Sequence, residues 1–229
     1  MSDIATNLQV VRQRIADAAR AAGRPPEAVR LLAVSKTWPA GRVAEAAAAG
    51  QRAFGENYVQ EGVDKIAALG RDDLEWHFIG PLQSNKTRPV AEHFAWVHSL
   101  DRFKVAQRLA AQRPAGRPPL QVCVQVNVSG EASKSGCAAA EAPALCRQVA
   151  ALPGLRLRGL MAIPAPVDGF AEQRQAFARL RRLYDDLRRD GLDVDTLSMG
   201  MSHDLEAAVA EGATLVRIGT AIFGERNYP

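Results

Sequence analysis

Short apolar runs alternate along the chain with longer segments in which apolar residues recur at helical spacing. Short apolar runs bounded by turn residues are typical of buried strands. Eight runs fit strands: Leu31–Ser35, Arg52–Gly55, Trp76–Ile79, Trp96–Ser99, Leu120–Val126, Leu157–Met161, Thr196–Ser198 and Leu215–Ile218. Helical patterns follow them at Val43–Ala49, Val59–Leu69, Lys86–Glu92, Phe103–Gln112, Ala138–Ala151, Phe170–Arg189 and Leu205–Glu211. This alternation predicts parallel strands joined by crossover helices.

An additional helix precedes the first strand. Ile4, Leu8, Val11 and Ile15 recur at helical spacing with charged residues between them, which is the pattern of an amphipathic helix and not of a secretory segment. Eight alternating units after one extra helix favour a closed (β/α)₈ barrel over an open doubly wound sheet. The 229 residues are close to the roughly 250 of a typical barrel, so we expect residues 1–229 to form a single domain.

Composition excludes several classes of protein. The net charge of +4 is small, and the densest basic stretch, Arg174–Arg189, is interleaved with acidic and apolar residues, so we expect a solvated helix face and no nucleic-acid partner. Apolar runs stay well short of the roughly 18 residues of a membrane helix. Cys123, Cys137 and Cys146 form no CxxC pair and indicate reduced thiols in a cytoplasmic protein. The four histidines lack metal-site spacing, so no metal is expected.

Lys36 is the lysine that stands out. The active sites of such barrels lie at the carboxyl ends of the strands, and Lys36 alone among the five lysines ends an apolar strand, on the same face as Leu32 and Val34. Lys65 and Lys104 lie on amphipathic helices and should reach solvent. A Schiff base needs a neutral amine, which an ordinary lysine provides only about once in 2,500 at pH 7. Burial and a nearby cation would favour it, whereas a structural lysine paired with a carboxylate is the alternative.

Arg217 is the second unusual residue. It alternates in phase with Leu215, so its guanidinium should lie inside the barrel near the carboxyl ends of the strands. A buried arginine needs a partner, which could be a ligand or a structural carboxylate. The residues alone leave both interpretations open.

Two turns at this end resemble a phosphate site. Ser198–Ser202 follows the seventh strand and Gly219-Thr220 follows the eighth, and the loops after these two strands commonly bind phosphate in barrels. The simpler alternative is a plain helix start, with Ser202 as its N-cap, beside a tight turn.

Six segments resemble those of the pyridoxal phosphate (PLP) homeostasis proteins, in register from about residue 31 to the C-terminus. They are Ala33–Lys36, Phe54–Glu61, Trp76–Lys86, Arg158–Ile163, Leu197–Ser202 and Val216–Gly224. The resemblance implies a barrel similar to the N-terminal domain of alanine racemase. It also implies a protein that regulates intracellular vitamin B6 and amino- and keto-acid balance without established turnover. Handover of PLP to PLP-dependent apo-enzymes is a further hypothesis, and the sequence does not show whether delivery is direct.

The resemblance assigns roles to individual residues. Lys36 would carry PLP as a Schiff base, Asn57 would lie beside the cofactor, Met161 near its ring, and Arg217 opposite the pyridine nitrogen. The phosphate-binding residues it implies are Ser198, Gly200, Ser202, Gly219 and Thr220.

Chemistry explains why PLP binding need not bring catalysis. An arginine leaves the pyridine nitrogen unprotonated, so the ring stabilises a carbanion poorly. A racemase also needs a second base on the opposite face of the substrate. Because the sequence ends at Tyr228-Pro229, we expect neither a second domain to supply that base nor an obligate dimer, and we predict a monomer.

Two alternatives remain. The first is a racemase-like PLP enzyme acting at Cα, with His77 or His203 as its second base. The second is an aldolase-type barrel that forms a Schiff base with a phosphorylated sugar and uses no PLP.

Overall fold

The computed structural model describes residues 3–130 and 135–225 and contains a closed barrel of eight parallel strands. The barrel strands are β1 (Arg30–Val34), β2 (Ala53–Glu56), β3 (Glu75–Phe78), β4 (Trp96–Leu100), β5 (Leu120–Asn127), β7 (Leu155–Met161), β8 (Thr196–Ser198) and β9 (Leu215–Ile218). Their order is β4-β3-β2-β1-β9-β8-β7-β5, and pairing of β4 with β5 closes the ring. A short strand, β6 (Cys137–Ala138), extends from β5.

Helices surround this barrel. They are α1 (Ile4–Ala21), α2 (Ala40–Ala48), α3 (Val59–Leu69), α4 (Thr87–His93), α5 (Phe103–Gln112), α6 (Ala142–Ala150), α7 (Phe170–Arg189), α8 (Leu205–Ala210) and α9 (Thr220–Phe223). In the two described ranges, no helix combines the length and apolar character needed to cross a membrane.

The N-terminal helix packs as its periodicity predicts. Ile4, Leu8, Val11 and Ile15 are all buried against the barrel helices. The Asp3 carboxylate accepts a hydrogen bond from the backbone N–H of Ala5 at 3.0 Å and so caps the first turn. The barrel with an additional N-terminal helix is therefore confirmed.

One predicted helix begins later than expected. Ala138 belongs to β6, which pairs with the end of β5, and the helix starts only at Ala142. Gly136 explains the difference: its φ is +114°, and a Cβ there would lie 2.8 Å from the backbone nitrogen of Asn127. Only glycine allows this close approach, which lets the next two residues, Cys137 and Ala138, pair with β5.

The barrel buries side chains on both of its surfaces. The outer surface packs against the helices, with Phe54 and Val122 in the large core cluster. The inner surface holds two smaller apolar clusters, one around Leu32 and Leu215 and one around Trp96, Cys123 and Met161. The remaining interior is polar, and it leads to the carboxyl ends of the strands.

Candidate ligand site at the carboxyl ends of the strands

Lys36 lies two residues beyond the end of β1, with a half-buried side chain. The backbone on either side of it is held firmly. The carbonyl of Ser35 accepts a hydrogen bond from Lys65 Nζ at 2.8 Å, and the N–H of Thr37 donates to Glu61 Oε1 at 2.5 Å. Thr37 has a φ of 67°, a left-handed conformation that a threonine adopts only when its surroundings impose it.

The prediction that Lys65 reaches solvent is wrong. Only 6% of its side chain is exposed, and its ammonium also donates to Glu56 Oε1 at 2.8 Å and Glu61 Oε1 at 2.6 Å. The Ser35 hydroxyl donates to Glu56 Oε1 at 2.6 Å. We call Ser35, Glu56, Glu61 and Lys65 the Lys65 cluster. It lies between the barrel wall and α3, and it fixes the segment that carries Lys36.

The carboxylate of Glu56 has no exposed surface. Burial raises its pKa above the ordinary 4.5, while the charge and hydrogen bond of Lys65 act in the opposite direction. Its second oxygen, Oε2, has no hydrogen-bond partner among the described residues. The Lys65 cluster is therefore stable only as a set.

Arg217 lies inside the barrel, as its phase on β9 predicts, on the strand next to β1 and opposite Leu32. Its guanidinium is bound by neutral acceptors: Nη1 donates to Ser198 Oγ at 2.7 Å and Nη2 to the carbonyl of Ala162 at 2.9 Å. Within residues 3–130 and 135–225, no carboxylate forms an ion pair with it. Burial lowers the pKa of Arg217 to about 10, so it stays charged at neutral pH.

The turn after β8 contains Ser198, Gly200 and Ser202. Gly200 has a φ of +95°, and a Cβ there would lie 2.6 Å from the Cβ of Ala208, so glycine is required. Ser202 is not the N-cap of α8. The cap residue is Asp204. Its carboxylate accepts a hydrogen bond from the N–H of Met201 at 2.6 Å, so Ser202 lies within a turn that ends at Asp204 and precedes the helix.

The turn after β9 contains Gly219 and Thr220, where α9 begins. Because β8 pairs with β9 and β9 pairs with β1, the two turns and Lys36 follow three neighbouring strands of a parallel sheet. They therefore lie side by side at one end of the barrel. The backbone N–H of Arg217 donates to the carbonyl of Gly200 and so ties the turn after β8 to strand β9.

Asn57 and Met161 complete the predicted set. Asn57 follows β2 and is half-buried; Gly80 approaches its carbonyl so closely that a Cβ would lie 2.1 Å from that oxygen. Met161 is the last residue of β7, fully buried, and pairs with Ser198 on β8. The structure thus brings the nine predicted residues to the carboxyl ends of five strands, β1, β2, β7, β8 and β9.

The structure also reveals polar residues inside the barrel that the sequence patterns did not single out for a role near Arg217. The Ser198 hydroxyl is 2.8 Å from His98 Nδ1, and His98 Nε2 is 2.9 Å from His77 Nδ1. His77 Nε2 is 2.8 Å from Glu75 Oε1. Burial lowers the pKa of both histidines, so both rings are neutral at pH 7. A buried His77 does not occupy the barrel mouth, where a racemase base would be needed.

Comparison with known proteins identifies the family. The family model of the alanine racemase N-terminal domain matches residues 6–227. The pyridoxal phosphate homeostasis protein of Pseudomonas aeruginosa is 66% identical over 100% of this chain and 98% of its own length. The chain belongs to the pyridoxal phosphate homeostasis protein family. The Escherichia coli member is 58% identical over 100% of this chain and 99% of its own length.

Solved structures agree with this assignment. PipY of Synechococcus elongatus with PLP bound is 41% identical, with a TM-score of 0.85 over 96% of this chain and 100% of its own. Alanine racemase from Corynebacterium glutamicum is 19% identical, with a TM-score of 0.72 over 98% of this chain and 61% of its own. The second likeness shows the shared fold alone.

Proposed function

We propose that this protein binds PLP at the carboxyl ends of the barrel strands and takes part in PLP homeostasis. Lys36 is the attachment residue: its amine condenses with the PLP aldehyde to a Schiff base and releases one water. PipY, a relative at 41% identity, has been solved with PLP bound, and the closely similar relatives are named PLP homeostasis proteins.

The observation that carries this proposal is the environment of Arg217. Among the described residues, the buried guanidinium of Arg217 is held by one hydroxyl and one carbonyl alone. This arrangement is incomplete, because buried charges are normally paired. A ligand with a ring nitrogen or an anionic group would complete it. PLP supplies both, and Arg217 lies on the strand beside the one that leads to Lys36.

The two turns after β8 and β9 support a phosphate at this end. The backbone N–H groups of the turns that contain Gly200 and Gly219, and the hydroxyls of Ser202 and Thr220, are the kinds of donor from which phosphate oxygens accept hydrogen bonds. Asn57 and Met161 would then border the cofactor from β2 and β7. A phosphorylated sugar, the ligand of an aldolase-type barrel, could place its phosphate at the two turns but would then offer no ring nitrogen to Arg217. These residues therefore fit a phosphorylated pyridine aldehyde better.

We propose storage and handover of PLP, with apo-enzymes as recipients, and no turnover of amino acids. An arginine facing the pyridine nitrogen donates a hydrogen bond without protonating it, so the ring withdraws little electron density. His77, one of two candidate second bases, is bound within the barrel interior. The three cysteines are buried free thiols, which supports a reducing compartment.

The attachment residue can be tested by absorption spectroscopy. The purified protein mixed with PLP should develop the visible band of a protein-bound Schiff base, and Lys36→Ala should not. Lys104→Ala, on the exposed face of α5, is the matched control and should keep the band. Circular dichroism checks that the fold is unchanged. An undiminished band in Lys36→Ala would show that another residue binds PLP.

Turnover and assembly can be tested separately. Incubation with amino acids in deuterated water should give no multiple-turnover exchange at Cα; sustained exchange would instead indicate a racemase-like enzyme. Light scattering should give the mass of a monomer. Mixing the PLP-loaded protein with a PLP-dependent apo-enzyme should restore the activity of that enzyme faster than release into free solution allows.

A further inference from the structure

A continuous line of hydrogen bonds crosses the interior of the barrel. It runs from Arg217 to Ser198, then to His98, His77 and Glu75, with successive distances of 2.7, 2.8, 2.9 and 2.8 Å. Ser198 is the last residue of β8, whereas Glu75 is the first residue of β3. The line therefore begins near the candidate ligand site and ends at the opposite mouth of the barrel. We call Glu75, His77, His98 and Ser198 the histidine chain.

The far end of the histidine chain is anchored by charge. Glu75 is partly exposed and accepts a hydrogen bond from Arg30 Nη2 at 2.6 Å. Both residues are the first of their strands, β3 and β1. Burial raises the pKa of Glu75. The hydrogen bond from His77 and the electrostatic interaction with it, together with the charge and hydrogen bond of Arg30, outweigh burial and lower the pKa to about 2. Glu75 is thus a carboxylate at neutral pH and can only accept hydrogen bonds.

Only one assignment of donors and acceptors satisfies every hydrogen bond in this line. His77 must carry its proton on Nε2, because Glu75 can only accept. A neutral His77 then accepts at Nδ1, so His98 must donate from Nε2 and accept at Nδ1. The Ser198 hydroxyl must therefore donate to His98, which leaves an oxygen lone pair for Arg217. Each donor points toward Glu75, and both imidazole tautomers are fixed.

This direction matters because Arg217 has only two acceptors in the described structure. A planar guanidinium is oriented when two acceptors hold two of its nitrogens. The carbonyl of Ala162 is fixed by the backbone, but a serine hydroxyl can rotate and could equally present its hydrogen to the guanidinium. The neutral His98 removes that freedom, since it keeps the hydroxyl hydrogen turned away from Arg217.

We propose that the histidine chain is a positioning device that fixes Ser198 as an acceptor and so orients Arg217 toward the bound pyridine ring. The inference rests on the proposed function for its ligand, but the hydrogen-bond direction is a property of the protein alone. Glu75, His77 and His98 are positioning residues, because they reach the ligand only through Ser198 and Arg217.

Nitrogen NMR of the ligand-free protein tests the direction itself. With ¹⁵N-labelled histidine, His77 and His98 should both be neutral with the proton on Nε2 at pH 7, and single substitutions at each position assign the signals. A doubly protonated ring, or the Nδ1–H tautomer at either position, would overturn the proposal. This result does not depend on PLP.

PLP titration tests the consequence for Arg217. His98→Phe removes the acceptor of the Ser198 hydroxyl and should weaken PLP binding about tenfold, the factor that corresponds to the loss of about 1.4 kcal/mol. His98→Gln offers one donor and one acceptor and should restore most of the affinity. Cys123→Ala, also buried inside the barrel but outside the histidine chain, is the matched control and should bind as the wild type does.

Ser198→Ala gives a second route if His98→Phe fails to fold, since it removes only one oxygen and should also weaken binding. Folded His98→Phe and Ser198→Ala proteins that both bind PLP as tightly as the wild type would overturn the positioning role. Failure of the wild-type protein to bind PLP at all would instead overturn the proposed function, and the NMR result would still decide the direction of the histidine chain.

Discussion

Two buried polar groups flank the candidate site, and they solve the problem of burial differently. The Lys65 cluster lies between the barrel wall and α3, and in it the ammonium of Lys65 pairs with two carboxylates, those of Glu56 and Glu61. The histidine chain lies inside the barrel and has neutral imidazoles in its middle. Its charged groups are Glu75 at one end and Arg217, which donates to Ser198, beyond the other end. One region holds a backbone segment by charge, and the other orients a side chain by the direction of hydrogen bonds.

This difference indicates what each region tolerates. Removing one member of a buried ion pair leaves a charge without a partner, which costs several kcal/mol. Removing one neutral member of a hydrogen-bonded line costs about 1–3 kcal/mol, because only an uncharged polar group is left unpaired. We therefore expect the Lys65 cluster to control stability and the histidine chain to control ligand binding.

The largest effect is expected for Lys65→Met, which keeps an unbranched side chain but removes the charge. Glu56, with no exposed surface, would lose its cation, so the free energy of unfolding should fall by about 3–5 kcal/mol. Urea denaturation measures this change. Lys104→Met, on the exposed face of α5, is the matched control and should change stability by less than about 0.5 kcal/mol.

Combining Lys65→Met with Glu56→Gln separates the ion pair from simple packing. The double variant should be more stable than the sum of the two single effects predicts, by about 1–3 kcal/mol, because neither charge is then left alone. Strictly additive effects, or equal effects of Lys65→Met and Lys104→Met, would contradict a stabilising Lys65–Glu56 pair.

Gly62→Ala tests how closely α3 must approach the Lys65 cluster. A Cβ at Gly62 would lie 2.5 Å from Phe94 Cζ and 3.3 Å from the Cβ of Glu56, so the helix must move outward. We expect a loss of about 1–3 kcal/mol in urea denaturation.

Gly41→Ala on α2 is the matched control for Gly62→Ala. A Cβ at Gly41 meets nothing within 4 Å, and its backbone is helical. That variant should be stabilised by up to about 1 kcal/mol, because alanine restricts the unfolded chain. If the two glycines behaved alike, close packing of α3 against Glu56 would not be important.

The smallest effect is a contrast in pH dependence. The pKa of Glu75 is lowered to about 2 in the folded state, so its contribution to stability is complete above about 4.5 and is lost as the pH falls toward 2. The pKa of Glu56 is raised above 4.5, so the folded state holds that proton more tightly and the contribution of Glu56 declines as the pH rises above 4.5.

Unfolding of Glu75→Gln and Glu56→Gln at a series of pH values measures this contrast. The stability difference between wild type and Glu75→Gln should shrink as the pH falls from 4.5 to about 2. The difference between wild type and Glu56→Gln should change in favour of the wild type as the pH falls toward 4.5. Parallel pH profiles would mean that the two carboxylates have similar environments.

The sequence predicted the barrel because its strands are buried on both surfaces and therefore form short apolar runs, such as Leu120–Val126. It also placed Arg217 in the interior, since alternation along a strand assigns each side chain to one surface. The boundary of α6 was missed because a pairing between β5 and β6 depends on Gly136, and local periodicity carries no signal for such a contact.

The polar clusters could not be predicted in the same way. Lys65 follows a helical pattern that normally faces solvent, and its burial is decided by Glu56, which arrives from β2. His77 lies on β3 and His98 on the neighbouring strand β4, and side chains along each strand alternate between the outer and inner surfaces of the barrel. This alternation could have indicated that both histidines face the barrel interior. Their contact with each other and with Ser198 depends on strand register, which a single sequence does not give.

PLP attachment to Lys36 is the step on which the proposed function depends. The most direct measurement is borohydride reduction of the PLP-treated protein, followed by digestion and mass spectrometry of the lysine-containing peptides. We expect a single stoichiometric pyridoxyl modification on the peptide that contains Lys36. Modification at Lys65, Lys86 or Lys104 in place of Lys36, or a mixture without preference for Lys36, would contradict it.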